Sequence, residues 1–320
     1  MPRPERIVLL HTSPRLPPGL LTARAWRLLA DAAAYTGADS PQAAAVRAAG
    51  TPVTVLADPP AAQADALLAA DAGTVVWLSG PDGDAPLGQA LAERLVNRAD
   101  PPTLEAEYGS YDPPGARLLD VVAVMDRLRT QCPWDRKQTH ASLAPYLLEE
   151  AYETIDAIDS GDRGHLREEL GDVLFQVAFH ARVAAESDAA DRFDVDDVAG
   201  ELVAKLVRRH PHVFADVTVA DADEVVANWD EIKRAEKSRD SAVDGVPLAQ
   251  PALQLAAKLQ SRAERAGVDA AVPDPDDADA ELGARLFALV REARAAGLDA
   301  EAALRRAALR YAEAVRAAER

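Results

Sequence analysis

The sequence predicts a mainly α-helical protein that begins with a small α/β domain. Alanine dominates the apolar residues while aromatics are only 5% of the chain, a composition that favours helices over sheets. Short β-type runs fall in roughly the first 110 residues. From Leu118 to Glu236 the apolar spacing is helical almost throughout.

Composition narrows the function before any motif is read. Fifty-three acidic against 35 basic residues leave a net charge of −18 over 320 residues. General binding to a nucleic-acid polymer or an anionic membrane needs a basic surface, so both are disfavoured. A 48% hydrophobic content is ample for a sizeable core, and the length suits two or three modest domains. The single cysteine, Cys132, excludes an internal disulfide framework and fits a reducing compartment. No apolar run reaches membrane-span length and no signal-peptide pattern opens the chain, so a soluble cytoplasmic protein is expected.

Taken in order, β-type runs at 7–10, 53–56 and 74–78 alternate with helical stretches at about 20–35 and 85–98. That alternation predicts a parallel sheet in a domain spanning 1–110. Pro101-Pro102 and the segment 108–115 read as a linker. Helices follow at 116–130, 142–159, 163–186, 195–209 and 222–238, and their short connections imply an antiparallel bundle over 117–240. The break at Asp244-Gly245-Val246-Pro247 opens a helical tail, 248–320, interrupted by an acidic loop at 273–279. In that tail Glu281-Leu282-Gly283-Ala284-Arg285-Leu286-Phe287 echoes Glu169-Leu170-Gly171-Asp172-Val173-Leu174-Phe175. The tail reads as a degenerate second copy of the bundle that has lost its acidic helix.

Two acidic runs carry the chemistry. Glu150 and Glu153 are spaced i, i+3 on one helix, and Glu169 and Asp172 on the next, so each pair projects from one side. Apolar stripes (Leu147, Leu148, Ala151, Ile155, Ile158; then Leu166, Leu170, Val173, Leu174, Val177) lie beside them. Antiparallel packing across the 160–165 turn would set the pairs face to face, where four carboxylates repel unless divalent cations lie between them. Hard oxygen ligands favour Mg²⁺ or Mn²⁺. Acidic residues on amphipathic helices are also ordinary solvated faces, and either run alone reads that way.

Glu149-Glu150-x-x-Glu153, then Glu169-x-x-Asp172, resembles the motif of the MazG family of all-α nucleoside triphosphate pyrophosphohydrolases. Flanking segments agree in order: Cys132-Pro133-Trp134-Asp135, Gln138-Thr139-His140, Tyr146-Leu147-Leu148, the run 205–214, and Trp229 with Lys233. The resemblance covers roughly 117–238. It implies an all-α pyrophosphatase bundle that removes surplus or aberrant nucleotides by splitting NTPs and dNTPs into monophosphate and pyrophosphate. Metal ligands would be Glu150, Glu153, Glu169 and Asp172, holding Mg²⁺ or Mn²⁺, while Glu149 would support them or orient the attacking water. Lys205, Arg208, Arg209 and Lys233 would contact phosphates, and Trp229 and Trp134 would contact base or ribose. The tail resembles the family's second copy, with Ala284 at the position matching Asp172. A homodimer is expected, since one set of four or five helices leaves apolar faces uncovered.

Residue types alone allow plainer roles for several of these. Arg208 and Arg209 close a helix before Pro211, where cations complement the helix dipole, and Lys233 has Asp230 and Glu236 nearby. Trp229 and Trp134 also suit half-buried packing. His210 and His212 lack further histidine or cysteine nearby and read as a helix stop. Cys132 has no base at a predictable spacing. The loop 79–84 lacks the Lys and Ser/Thr of a phosphate-binding loop. The first 100 residues are faintly similar to the front half of the tetrapyrrole methylases. The glycine-rich turn expected after the first strand is replaced by the segment 11–17, which implies a vestigial domain that no longer binds S-adenosylmethionine. A non-catalytic helical module binding nucleotide or metal is the alternative function.

Overall fold

The computed structural model describes residues 4–96, 98–222, 224, 225, 228, 229, 232, 236, 240–271 and 277–320. They fall into two compact units, one ending at Gly200 and one starting at Glu201. The chain is mainly helical, with its sheet near the N-terminus.

The first unit begins with β1 (Arg6–His11), α1 (Ala23–Ala30), β2 (Ala33–Thr36), α2 (Pro41–Ala48), β3 (Val53–Val55), α3 (Pro60–Ala69), β4 (Thr74–Leu78), α4 (Ala85–Leu95) and β5 (Thr103–Tyr108). All five strands are parallel, in the order β3-β2-β4-β1-β5. Side chains alternate across a strand, and this sheet is covered on both faces. Val8, Leu10, Val76 and Leu78 pack under α1 and α2, while Ile7, Val75 and Trp77 pack under α3 and α4. Thr22 and Ser40 cap α1 and α2 by accepting from the amides of Ala25 and Ala43.

Two strands depart from the sequence reading. Residues 33–36 form β2, where a helix over 20–35 is expected, and 103–108 form β5, where a linker is expected. Pairing with distant strands decides both: β2 lies inside the sheet between β3 and β4, and β5 completes the far edge beside β1. The helices α2 and α3 between the strands are likewise absent from that reading.

Next come α5 (Arg117–Gln131), a single 3-10 turn (Asp135–Lys137), α6 (His140–Ser160) and α7 (Arg163–Ala184). Helix α7 packs along α6 and against α5, around Met125, Leu143, Ala178 and Phe179. Buried Arg129 binds both carboxylate oxygens of Glu186 and the carbonyls of Asp135 and Gln138, tying α5 to the turn and to the end of α7. The apolar stripes anticipated on α6 and α7 are only partly covered: Leu148, Ile158 and Leu170 each stay more than half exposed.

Helix α8 (Val195–Arg209) runs into the second unit, followed by the short α9 (Pro211–Phe214). Most of the expected helix 222–238 lies outside the described residues, as does most of the acidic loop 273–279. The tail contains α10 (Ala252–Arg265), α11 (Ala278–Ala295) and α12 (Ala300–Ala318). Helix α10 packs on α11, where the side-chain amide of Gln260 donates to the Phe287 carbonyl.

Candidate metal centre

The site is built by one tight helical hairpin. Thr139 starts α6 with a reciprocal cap, its hydroxyl accepting from Ser142 N–H while the Ser142 hydroxyl accepts from Thr139 N–H. Gly161 ends α6 with a left-handed φ of 73°, and Asp162 starts α7 by accepting from the amides of Gly164 and His165. Two residues therefore reverse the chain, and positions equally far from Gly161 come opposite one another. Glu150 and Asp172 are each eleven residues from Gly161, and Glu153 and Glu169 each eight.

Oxygens from Glu150, Glu169 and Asp172 all lie within 4.8 Å of one another. Glu153, three residues along α6 from Glu150, adds its negative charge to the group. Of the expected ligands, three thus converge directly and the fourth adjoins them. Glu169 is buried, Glu150 half-buried and Asp172 more open than Glu169. Burial, followed by the charges of Asp172, Glu153 and Glu169, pushes the Glu150 carboxyl above the ordinary carboxylate range. Among the described residues no Lys or Arg forms an ion pair with this cluster. That uncompensated negative charge, offered by hard carboxylate oxygens, fits a divalent cation such as Mg²⁺.

One partner escaped the sequence reading. His165 Nε2 lies 2.9 Å from Glu169 Oε1 across one helical turn. Its spacing, i, i+4 on α7, was the available signal.

Glu149 is exposed on α6, outside the converging set. Trp134 is also exposed, with its ring edge-on to Tyr146 and Phe179. Lys205 is exposed on α8. In the second unit both guanidinium groups of Arg208 and Arg209 bind the Glu236 carboxylate, each at 2.6 Å. The two hydrogen bonds, Arg209's the larger effect, hold the Glu236 carboxyl down to about 2. Trp229 is half-buried, and Lys233 lies outside the described residues.

Residues 138–214 match the MazG nucleotide pyrophosphohydrolase domain, a span that includes the entire α6–α7 hairpin. A nucleoside triphosphate pyrophosphohydrolase of Escherichia coli K12 is 41% identical over 229 residues, covering 62% of this chain and 86% of that protein. The nucleoside triphosphate pyrophosphohydrolase/pyrophosphatase MazG of Thermotoga maritima is 38% identical over 221 residues, covering 62% and 84%. An uncharacterized 26.1 kDa protein from the blaB 3′ region of Streptomyces cacaoi is 55% identical over 241 residues, covering 74% and 98%.

Proposed function

The chain belongs to the MazG nucleotide pyrophosphohydrolase family, and from that premise we propose that Glu150, Glu169 and Asp172, with Glu153 beside them, hold the divalent metal of its reaction. The protein is an enzyme that hydrolyses nucleoside triphosphates to nucleoside monophosphate and pyrophosphate. The observation carrying the metal assignment is the convergence of three carboxylates across the α6–α7 hairpin, with no Lys or Arg paired to them among the described residues.

The metal is Mg²⁺, with Mn²⁺ able to replace it, and when bound it supplies positive charge to the phosphate oxygens. The chain's own residues do the rest. Glu150 and Asp172 face each other from equivalent places on the hairpin, and His165 fixes the Glu169 carboxylate. Glu149, exposed beside Glu150, orients the attacking water. Lys205, Arg208, Arg209 and Lys233 contact the triphosphate, and Trp134 and Trp229 the nucleoside. Glu236 occupies the two guanidinium groups until phosphate replaces it, an exchange of one anion for another. Most of the rate comes from positioning and charge, because phosphoryl transfer asks little covalent help.

The wider organisation belongs to the same proposal. A vestigial α/β domain (1–110) precedes the catalytic bundle (117–240). A degenerate repeat (248–320) follows, and the packing of α10 on α11 parallels that of α5 on α7. The uncovered apolar residues of α6 and α7 support a homodimer. Among the described residues no helix is long and apolar enough to cross a membrane, in keeping with a cytoplasmic role in clearing surplus or aberrant nucleotides.

The test is product analysis with several NTPs and dNTPs plus Mg²⁺. Monophosphate with pyrophosphate is expected, and lost on chelation. Nucleoside diphosphate with orthophosphate refutes the reaction. Metal-dependent nucleotide binding without product would favour a binding module instead.

A further inference from the structure

Trp134 is 48% exposed at the head of the 3-10 turn that leads into α6, yet its ring and its backbone are both fastened. The ring lies edge-on to Tyr146 and Phe179, with centroids 5.9 and 6.2 Å away. The carbonyl accepts from the Lys137 amide and, at 3.1 Å, from Gln138 Nε2. Gln138 is secured in turn. Its Oε1 accepts from the Ser142 hydroxyl at 2.7 Å, and its own carbonyl accepts from Arg129 Nη1 at 3.0 Å.

Arg129 is the buried end of this chain of contacts. Its Nη1 also donates to the Asp135 carbonyl, while Nε and Nη2 bind the two Glu186 oxygens at 3.0 and 2.8 Å. Taking a guanidinium out of water is costly, and apolar residues of similar volume often stabilise such a place as well or better. What arginine adds is a planar set of donors with fixed directions. Here they run to two carbonyls of the turn that carries Trp134 and to Glu186, just past the end of α7. The arginine therefore fixes a geometry that stability alone does not demand.

That geometry lies on the carboxylate side of the hairpin. Tyr146 is i, i+4 with Glu150 on α6, about 6 Å along the helix axis. Phe179 is seven residues beyond Asp172 on α7, so each aromatic shares a face with its carboxylate. A triphosphate whose phosphates meet the metal at Glu150 and Asp172 has its nucleoside within reach of the Trp134 ring.

We propose that Arg129 is a positioning residue for substrate binding: through the carbonyls of Asp135 and Gln138 it holds Trp134 where the open part of the ring meets the nucleoside. Arg129 itself touches no substrate; it acts only through Trp134, given that Trp134 contacts the nucleoside as proposed above.

Steady-state turnover of the full chain in a double-mutant cycle tests this, with Mg²⁺ and whichever of ATP, GTP, CTP and UTP the wild type hydrolyses fastest. Trp134→Ala raises KM by about fivefold or more, the loss of one stacked base. Arg129→Lys keeps the charge but not the fork, and raises KM about threefold with kcat within about twofold of wild type. Glu186 keeps Arg182, at 2.9 Å, so the substitution does not strand it. In the Trp134→Ala background Arg129→Lys leaves KM unchanged, because the residue it acts through is gone. A merely structural role would lower the fraction of active enzyme, and so kcat, without moving KM. If Arg129→Lys does not fold, Gln138→Leu, which cuts the same link at its outer end, decides by the same measurements. An unchanged KM in Trp134→Ala overturns the nucleoside reading of Trp134 and the role of Arg129 with it. A KM raised in Trp134→Ala but unchanged in Arg129→Lys overturns the role of Arg129 alone. So does a KM that Arg129→Lys raises equally in both backgrounds, and either result leaves Trp134 as the nucleoside contact.

Discussion

His165 Nε2 sits 2.9 Å from Glu169 Oε1, one turn before the carboxylate that meets Glu150 and Asp172. The imidazole is partly solvated whereas Glu169 is buried, so the histidine reaches inward to fix the orientation of a buried acid. Partners that orient metal-binding carboxylates typically matter by ten- to a hundredfold in metal affinity or activity. His165→Ala should therefore raise the Mg²⁺ concentration for half-maximal turnover by about tenfold, with the melting temperature within about 1 °C of wild type. His165→Gln, which retains a donor, should recover part of that loss. An unchanged Mg²⁺ dependence in His165→Ala would mean that the contact orients nothing.

Glu150 is a liability to the metal-free protein. Its folded carboxyl is raised by burial first and by its acidic neighbours next, so the folded state holds its proton more tightly than the unfolded chain. The stability it contributes is present at acid pH and is lost as pH rises through the raised folded value. At pH 7 without metal, Glu150→Gln should melt higher than wild type, by about 1–2 °C, and the difference should vanish in acid. The same variant should lose turnover, and Mg²⁺ should stabilise it less than it stabilises wild type. A variant that melts lower at pH 7 would contradict this account.

Glu236 behaves in the opposite sense. Hydrogen bonds from Arg209 and Arg208 hold its carboxyl down to about 2, against about 4.3 for an unperturbed glutamate. Its contribution is complete above the unfolded value and is lost as pH falls from there toward 2. Unfolding followed from pH 6 to 2 should show wild type losing stability relative to Glu236→Gln across that window, with the gap closed at its lower end. Parallel curves would show that the two arginines do not depend on this acid.

Gly161 sets the register of the hairpin through its φ of 73°. A Cβ there meets nothing within 4 Å, so the penalty for Ala is conformational rather than steric crowding. Gly161→Ala should cost about 1–2 kcal/mol by denaturant titration, and Gly161→Asn less. A cost near zero would show that the turn accommodates another conformation without shifting Glu150 against Asp172.

Local periodicity made the hairpin readable, because i, i+3 spacing and a Gly-Asp turn lie within 23 consecutive residues, 150–172. The sheet was less readable for the converse reason. Ala33-Ala34-Tyr35-Thr36 continues an alanine-rich helical pattern and becomes β2 only because β3 and β4 flank it, the nearer paired residues lying about twenty positions away. Thr103 to Tyr108 alternates with glutamates and follows two prolines, so it resembles a linker until β1 pairs with it. His165 was missed, and Glu236 was read beside Lys233 rather than against Arg208 and Arg209, because each acts through a partner's geometry that spacing alone does not show.

The apolar stripe poses the last question. Leu147, Leu148, Ile155 and Ile158 on α6, with Leu170, Leu174 and Val177 on α7, stay 38–57% exposed. Completing the burial of one such side chain is worth about 1 kcal/mol, half or less of the full value for a large aliphatic residue. In a two-fold dimer the seven on each chain together supply roughly 14 kcal/mol, of the same order as the cost of bringing two chains together, roughly 4–15 kcal/mol. A dimer resting on this face is therefore balanced finely enough for one buried charge to break it. Ile158 lies toward the hairpin turn, eight residues from Glu150. Ile158→Glu should convert a dimer to monomer at micromolar concentration by sedimentation, with helical content preserved. A wild-type chain that is monomeric at tens of micromolar, or a variant that stays dimeric, would place the partner surface elsewhere.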